Sequence, residues 1–332
     1  MITKNRGGKS SNRASLLVGL DIGGTNIRGV LLTSNGEVVE KVEESVEGIT
    51  AEAITEQLIL LIQRLIGDTG QKDIRGIGLG VAGLMDFERG VMLFSPHLPL
   101  KNVALREIIR RQFELPTFMD NDANAAALGE KYYGAGKEAS NFVYLGIGTG
   151  IGSGIVIDGG VYRGNIGSAA EFGHTIIDVN GPRCECGNKG CFEALASGPA
   201  IAKMAQERAV KDSLLMGMAG GNVKNITAPL VTEAARRGDA LSRDVFTEVG
   251  GILGIGLANI INILDPELII IGGGVAEAGE LILGPARKTV SELALVHQAR
   301  DVKIVLAELG VMAGAIGAAT LAMEELRQRH FR

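Results

Sequence analysis

"LLVGLDIGGTNIRGVLL", residues 16–32, and "VYLGIGTGIGSGIVI", residues 143–157, follow one plan: an apolar run, a glycine turn that carries a threonine, and a second apolar run. In each copy alternating apolar residues flank a turn rich in backbone N–H donors, which can hold phosphate oxygens where a side chain would obstruct them. Either copy alone reads equally well as an ordinary β-hairpin. Two copies, with Thr25 in the first turn and Thr149 one residue before the matching slot in the second, point to one supersecondary unit used twice, once in each half. A third glycine turn, "LIIIGGGVAEAGE" at 268–280, follows a continuous apolar strand and precedes a helical stretch, as expected where an α/β sheet meets a nucleotide.

The segments between these turns alternate in kind. Residues 49–67 place Ile54, Leu58, Leu61, Ile62 and Leu65 on one helical face. "IRGIGLGVAG" (74–83) reads as a buried strand and "NVALREIIRRQF" (102–113) as a helix that ends before Pro116. Residues 251–264 read as an apolar helix, and 310–328 as the terminal one. Strands and helices thus alternate in both halves, which predicts two α/β lobes with a cleft between them. Glycine turns facing each other across that cleft would grip one nucleotide from both sides.

Bulk properties exclude several classes. The chain has 332 residues, 46% of them hydrophobic and 21% charged, with a net charge of −5. That balance lacks the basic footprint of a nucleic-acid binder. No uninterrupted apolar run approaches the length of a membrane span. The first fourteen residues are basic and polar, and the apolar run behind them stops at Asp21, too soon for a secretory signal. A cytoplasmic protein with a frayed amino-terminal arm is expected. The 48 glycines cluster instead of repeating, which marks tight turns and close backbone approaches.

All three cysteines fall in "GHTIIDVNGPRCECGNKGC", residues 173–191. Cys184, Cys186 and Cys191 supply three thiolates, and His174 lies ten residues upstream of the first. Four such ligands with no spare position describe a closed, structural zinc site. An iron–sulfur cluster short of one ligand, a redox pair and three inert thiols are the alternatives. The stretch "FMDNDANAAALGE" puts Asp120 and Asp122 where a strand meets an alanine-rich helix. An acid there sits at the positive end of the helix dipole and can accept a hydroxyl proton, or it can simply cap the helix; the residues alone leave both open.

"DIGGTNIR", "NDANAAALGE", "GIGTGIGSGIV", "EFGH" and "CECGNKGCFE" stand in the order and spacing of the ROK family, and the chain resembles it from residue 16 to about 320. That family holds bacterial sugar kinases and sugar-responsive repressors within the actin-like ATPase superfamily, whose lobes are ribonuclease H-like. The resemblance implies ATP in the interlobe cleft, with Asp21, Gly23, Gly24, Thr25 and Arg28 near the phosphates and magnesium. Gly148, Thr149, Gly150, Gly152 and Gly154 would form the second phosphate loop, and Gly272, Gly273 and Gly274 would sit near the adenosine.

On the acceptor side the resemblance makes Asp122 the catalytic base beside Asn121, with Gly83 on the cleft strand. Glu171, His174 and Glu193 would hold sugar hydroxyls; as isolated residues, the two glutamates read as solvated surface groups. The family pattern also agrees with zinc on His174, Cys184, Cys186 and Cys191, adjacent to those clamps, so the ion would fix the loop that presents them.

The implied division is an arm over 1–15, a small lobe over 16–121 completed by a terminal helix over 313–332, and a large lobe over 122–312 that carries the zinc loop. The expected activity is ATP-dependent phosphorylation of a hexose, glucose first, with N-acetylmannosamine or fructose as variants, by a homo-oligomer without nucleic-acid or membrane partners. The rival class is a sugar-responsive repressor, which needs a DNA-reading module that about fifteen residues ahead of the first strand do not make. One departure stands out: "SPHLPLKNV" has His97 where the family often has asparagine, and His97 is left outside the expected site.

Overall fold

The computed structural model describes residues 15–67, 71–295 and 302–330. The chain starts with β1 (Leu16–Ile22), β2 (Asn26–Thr33) and β3 (Val38–Ser45), then α1 (Ala51–Ile66) and β4 (Ile74–Val81). A small excursion follows, β5 (Leu84–Asp86), β6 (Val91–Phe94) and β7 (Lys101–Val103), before α2 (Leu105–Phe113), β8 (Thr117–Asn121) and α3 (Asp122–Tyr133). The second half opens with β9 (Phe142–Ile147), β10 (Ile151–Ile157) and β11 (Gly160–Val161), then the helices α4 (Phe192–Ala196), α5 (Gly198–Arg208), α6 (Leu214–Met218), α7 (Ala228–Arg236) and α8 (Ala240–Leu264). It closes with β12 (Leu268–Gly272), α9 (Glu280–Leu293), β13 (Lys303–Leu306) and α10 (Ala313–His330).

Two five-stranded sheets repeat one topology. The first has the order β3-β2-β1-β4-β8 and the second β11-β10-β9-β12-β13. In each, a meander of three antiparallel strands is extended by two parallel strands. The echo seen in the sequence is therefore β1-turn-β2 in one sheet and β9-turn-β10 in the other. The 49–67 helix forms as α1, with Thr50 accepting from the Ala53 N–H at its start and Ile54, Leu58, Leu61, Ile62 and Leu65 buried. The amino-terminal arm expected over 1–15 lies, but for Ser15, outside the described residues.

Several glycines permit close approach of α10. A Cβ on Gly19 or Gly78 would run into α10 backbone oxygens, and one on Gly317 into the carbonyl of Ala125 in α3. The alanine-rich α10 thus lies almost on the backbone of β1 and β4 and crosses α3 at equally short range. Glu130, fully buried at the end of α3, accepts from the backbone N–H groups of Ala135, Glu308 and Leu309, which ties α3 to the approach of α10.

Two expectations are corrected. Lys101–Val103 form a strand, with Asn102 at φ +55°, so the helix read over 102–113 starts only at Leu105. And the helix read over 251–264 begins earlier, as α8 from Ala240, and over that length it is by composition apolar enough to cross a membrane. Reading only unbroken apolar runs hid this, because Ser, Arg, Asp and Asn interrupt it. One apolar face is covered: Val245, Val249, Leu253, Leu257 and Ile261 are buried against α4, α5, α7 and α9, as in a core helix.

Candidate active site

The strand-to-helix junction at β8–α3 sets the site. Asn121 adopts extended backbone and its Oδ1 accepts from the N–H groups of Ala123 and Asn124, so Asn121 is the cap of α3. The cap of α3 therefore does not require either aspartate. Asp120 is buried and bonded: Oδ2 accepts from Nε of Arg163 at 2.7 Å, and Oδ1 from the Asn121 N–H and the Asn124 amide. Asp122 is the first residue of α3, and its Oδ1 accepts from the adjacent Ala123 N–H at 2.9 Å.

Burial raises the Asp122 pKa, opposed by the Ala123 N–H and by the positive charge of His97. Asp21, at the end of β1, is pushed up to about 7 by burial and by the like charge of Asp122, which together outweigh Arg28. Gly314 in the first turn of α10 lies against the Asp21 carboxylate. Two carboxylates with raised pKa values thus converge where two helices begin, an arrangement common at reaction centres.

The first glycine turn is closed by Gly23 N–H to Asn26 carbonyl at 3.1 Å, and the Thr25 carbonyl accepts from Val46. A Cβ on Gly24 would strike the side chain of His97. His97 therefore stands beside the first turn and within electrostatic reach of Asp122; the sequence reading left it out, although its unusual slot was the available signal. Arg28 faces Asp21 in the β1–β2 register, with its guanidinium held by Glu43 at 2.7 Å.

In the second turn Gly148 N–H donates to the Gly150 carbonyl, and the Gly148 carbonyl accepts from Gly198 at the start of α5. Gly150 abuts the carboxylate of Glu193. Gly152 and Gly154 lie within β10, where a Cβ would meet Ala123 and Ala127 of α3; they serve helix packing beyond the turn itself. At the third turn, Gly273 has φ +80° and Gly272 lies against the buried Tyr144 hydroxyl, while Gly274 faces open space.

A small cavity, with about 320 Å³ of empty space that is partly open to solvent, lies beside these groups. Gly83, Asn121, Gly152 and Glu171 line it together with Ser168, whose buried hydroxyl has no hydrogen-bond partner among the described residues. Ser168 was not singled out from the sequence. Burial raises the Glu171 pKa, His174 opposes that, and the charges of Asp122 and Glu193 add to it, so these carboxylates are neighbours. Glu193 does not line the cavity: its Oε2 accepts from the Ile151 N–H at 2.9 Å and its Oε1 lies 3.8 Å from Cys184 Sγ.

His174, Cys184, Cys186 and Cys191 come together, with their ligand atoms within 4.8 Å of one another. Cys184 Sγ lies 3.8 Å from His174 Nδ1, and Cys186 Sγ 3.6 Å from Cys191 Sγ. Zinc–sulfur bonds of about 2.3 Å in a tetrahedron put ligand atoms about 3.8 Å apart, so the set has the size and chemistry for that ion. The cysteines are free thiols, not disulfides. With Nδ1 turned to the thiols, His174 keeps Nε2 for another partner.

The ROK family profile matches residues 17–325. The chain belongs to the ROK family. Among its ROK relatives, a glucokinase of Thermotoga maritima is 35% identical over 313 residues, 93% of this chain and 98% of that protein. A xylose repressor of Caldicellulosiruptor bescii is 35% identical over 316 residues, covering 93% of this chain and 78% of the repressor. The crystal structure of a ROK family glucokinase from Streptomyces griseus, in complex with glucose and AMPPNP, superposes with a TM-score of 0.85 at 35% identity, over 93% of this chain and all of that one. The fold is the two-lobed actin-like ATPase fold of the ROK kinases.

Proposed function

We propose that this ROK protein is an ATP-dependent hexose kinase, with glucose as the first candidate and Asp122 as general base. The observation that carries the reading is Asp122 itself: a carboxylate made more basic by burial, adjacent in sequence to Asn121 of the cavity wall and within electrostatic reach of Asp21 ahead of the first glycine turn. The likeness to glucokinases over nearly their full length supports it.

Hexose would occupy the cavity lined by Gly83, Asn121, Ser168 and Glu171, where hydroxyl donors find carboxylate and hydroxyl partners. Asp122 takes the proton from the attacking hydroxyl, most simply that on carbon six. Its raised pKa brings its basicity closer to neutral pH, which favours the transfer. The turns at Gly23–Thr25 and Gly148–Gly150 present N–H groups to the nucleotide phosphates, and the Gly272–Gly274 turn borders the adenosine. Phosphoryl transfer depends on such positioning and charge neutralisation more than on covalent help. Asp21, a hard oxygen donor beside a second carboxylate, fits magnesium, which when bound neutralises phosphate charge. His174, Cys184, Cys186 and Cys191 would hold a structural zinc.

Coupled ADP release on glucose, mannose, fructose, N-acetylglucosamine and N-acetylmannosamine tests the reading. Glucose-dependent turnover that needs ATP is the expected result. No turnover on any of the five, with sugar-released binding to an operator-like duplex, would establish the repressor class instead.

A further inference from the structure

Arg163 takes no part in the chemistry above, yet two segments converge on its guanidinium and its backbone closes a third. Nε bonds Asp120 Oδ2 at 2.7 Å at the end of β8, and the guanidinium carbon stands 4.5 Å from the ring centroid of Phe87, in the turn between β5 and β6. Arg163 itself roots the segment that follows β11, and its carbonyl accepts from the Ala169 N–H at 3.2 Å, closing that segment into a compact loop. Gly167 of the loop, at φ +92°, packs against Phe87 so tightly that a Cβ would come within 2.9 Å of the Phe87 Cβ.

These contacts span the cavity. Asn121, adjacent to Asp120, forms one side; Ser168, Ala170 and Glu171, on the loop rooted at Arg163, form the other. The Asp120 carboxylate is 2% exposed and bonded at both oxygens, so its position is set by Arg163 on one side and by Asn121 and Asn124 on the other. Removing the guanidinium would leave a buried carboxylate unpaired, and the two walls would lose their common reference.

We propose that Arg163, through its bond to Asp120, is a positioning residue that fixes the distance between the Asn121–Asp122 edge and the Ser168–Glu171 wall, and so sets hexose affinity without touching the hexose. The proposal rests on the hexose-kinase reading. It deepens that reading by assigning a role in sugar binding to a residue on neither the phosphate side nor the metal side.

The test compares Arg163→Met, which keeps the apolar stem, with Arg163→Lys, Asp120→Asn and the Arg163→Met/Asp120→Asn double variant. Hexose Kd is measured by calorimetry without nucleotide, and KM for hexose and for ATP with kcat by ADP release. We expect Arg163→Met to weaken hexose binding about tenfold or more, with KM for ATP and kcat within about threefold. Arg163→Lys should recover part of the affinity, and the double variant should bind hexose no worse than the worse single variant. If Arg163→Met fails to fold, Arg163→Lys and Asp120→Asn carry the same comparison. Hexose affinity unchanged in a folded Arg163→Met variant, or KM values for both substrates rising in step, would overturn the positioning role alone. A parent chain that binds and turns over no hexose overturns the kinase reading as well.

Discussion

The carboxylate of Glu193 accepts a hydrogen bond from the backbone N–H of Ile151 at 2.9 Å, which joins the helix after the last cysteine to the second glycine turn. Gly150 makes this possible, since a side chain there would collide with the Glu193 oxygen. Because the same carboxylate lies 3.8 Å from Cys184 Sγ, the thiol cluster is tied to the second glycine turn.

Glu193→Ala should therefore raise KM for ATP as well as for hexose. Loss of a backbone hydrogen bond to a charged group corresponds to roughly 1.5–3 kcal/mol, or about 10- to 150-fold if expressed fully in binding. Glu193→Gln keeps an acceptor oxygen and should preserve most of the ATP affinity. A Glu193→Ala enzyme with an unchanged KM for ATP would show that the bond to Ile151 does not shape the turn.

The thiol cluster predicts about one zinc per chain in the purified protein, measurable by elemental analysis. Cys184→Ser should lower zinc content and melting temperature and raise KM for hexose together, since one loop serves both. A zinc-free preparation that melts and turns over like the loaded one would refute the structural role.

Much of this was legible in the sequence because it is local. The two glycine turns, the α1 stripe and the cysteine cluster each declare themselves within one short window. What the sequence hid depends on distant chain segments. Asp120 finds Arg163 across 43 positions, Glu193 finds Ile151 across 42, and His97, between β6 and β7, meets Gly24 from a distant part of the chain. The cap at Asn121 was hidden for another reason: three polar residues in a row can each cap a helix, and only the backbone decides which one does.

Asp21 makes stability depend on pH. Its pKa near 7 in the folded chain stands well above the ordinary aspartate value of about 3.9, so between about pH 4 and 7 the folded state keeps a proton that the unfolded state has released. Stability of the nucleotide-free protein should fall as pH rises through that window. Asp21→Asn should flatten part of the fall and melt at a higher temperature than the parent at pH 8, while losing turnover. Melting curves from pH 5 to 8 check this; parallel curves for parent and variant would remove Asp21 as a cause.

His97 lowers the pKa of Asp122 through its positive charge. Replacing it by asparagine removes that charge, so the acid limb of the kcat profile should move to higher pH, in the direction of a more weakly acidic Asp122. The profile of kcat against pH for His97→Asn beside the parent is the measurement. A limb that stays put, or moves to lower pH, would mean that His97 does not act on the base.

Asp122→Asn is the direct test of the base. The amide keeps the size of the carboxyl group and an oxygen acceptor for the Ala123 N–H, and the cap at Asn121 is untouched, so fold and ATP binding should persist. Proton acceptance is lost, and a positioned base contributes on the order of 10²- to 10⁴-fold, so kcat should fall by that scale with KM for ATP little changed. Asp120→Asn is the informative partner because it weakens the bond to Arg163 and leaves Asp122 intact. It should raise KM for hexose with a small change in kcat. The opposite pattern, with a folded Asp120→Asn inactive and Asp122→Asn within a few-fold of the parent, would move the base from Asp122 to Asp120.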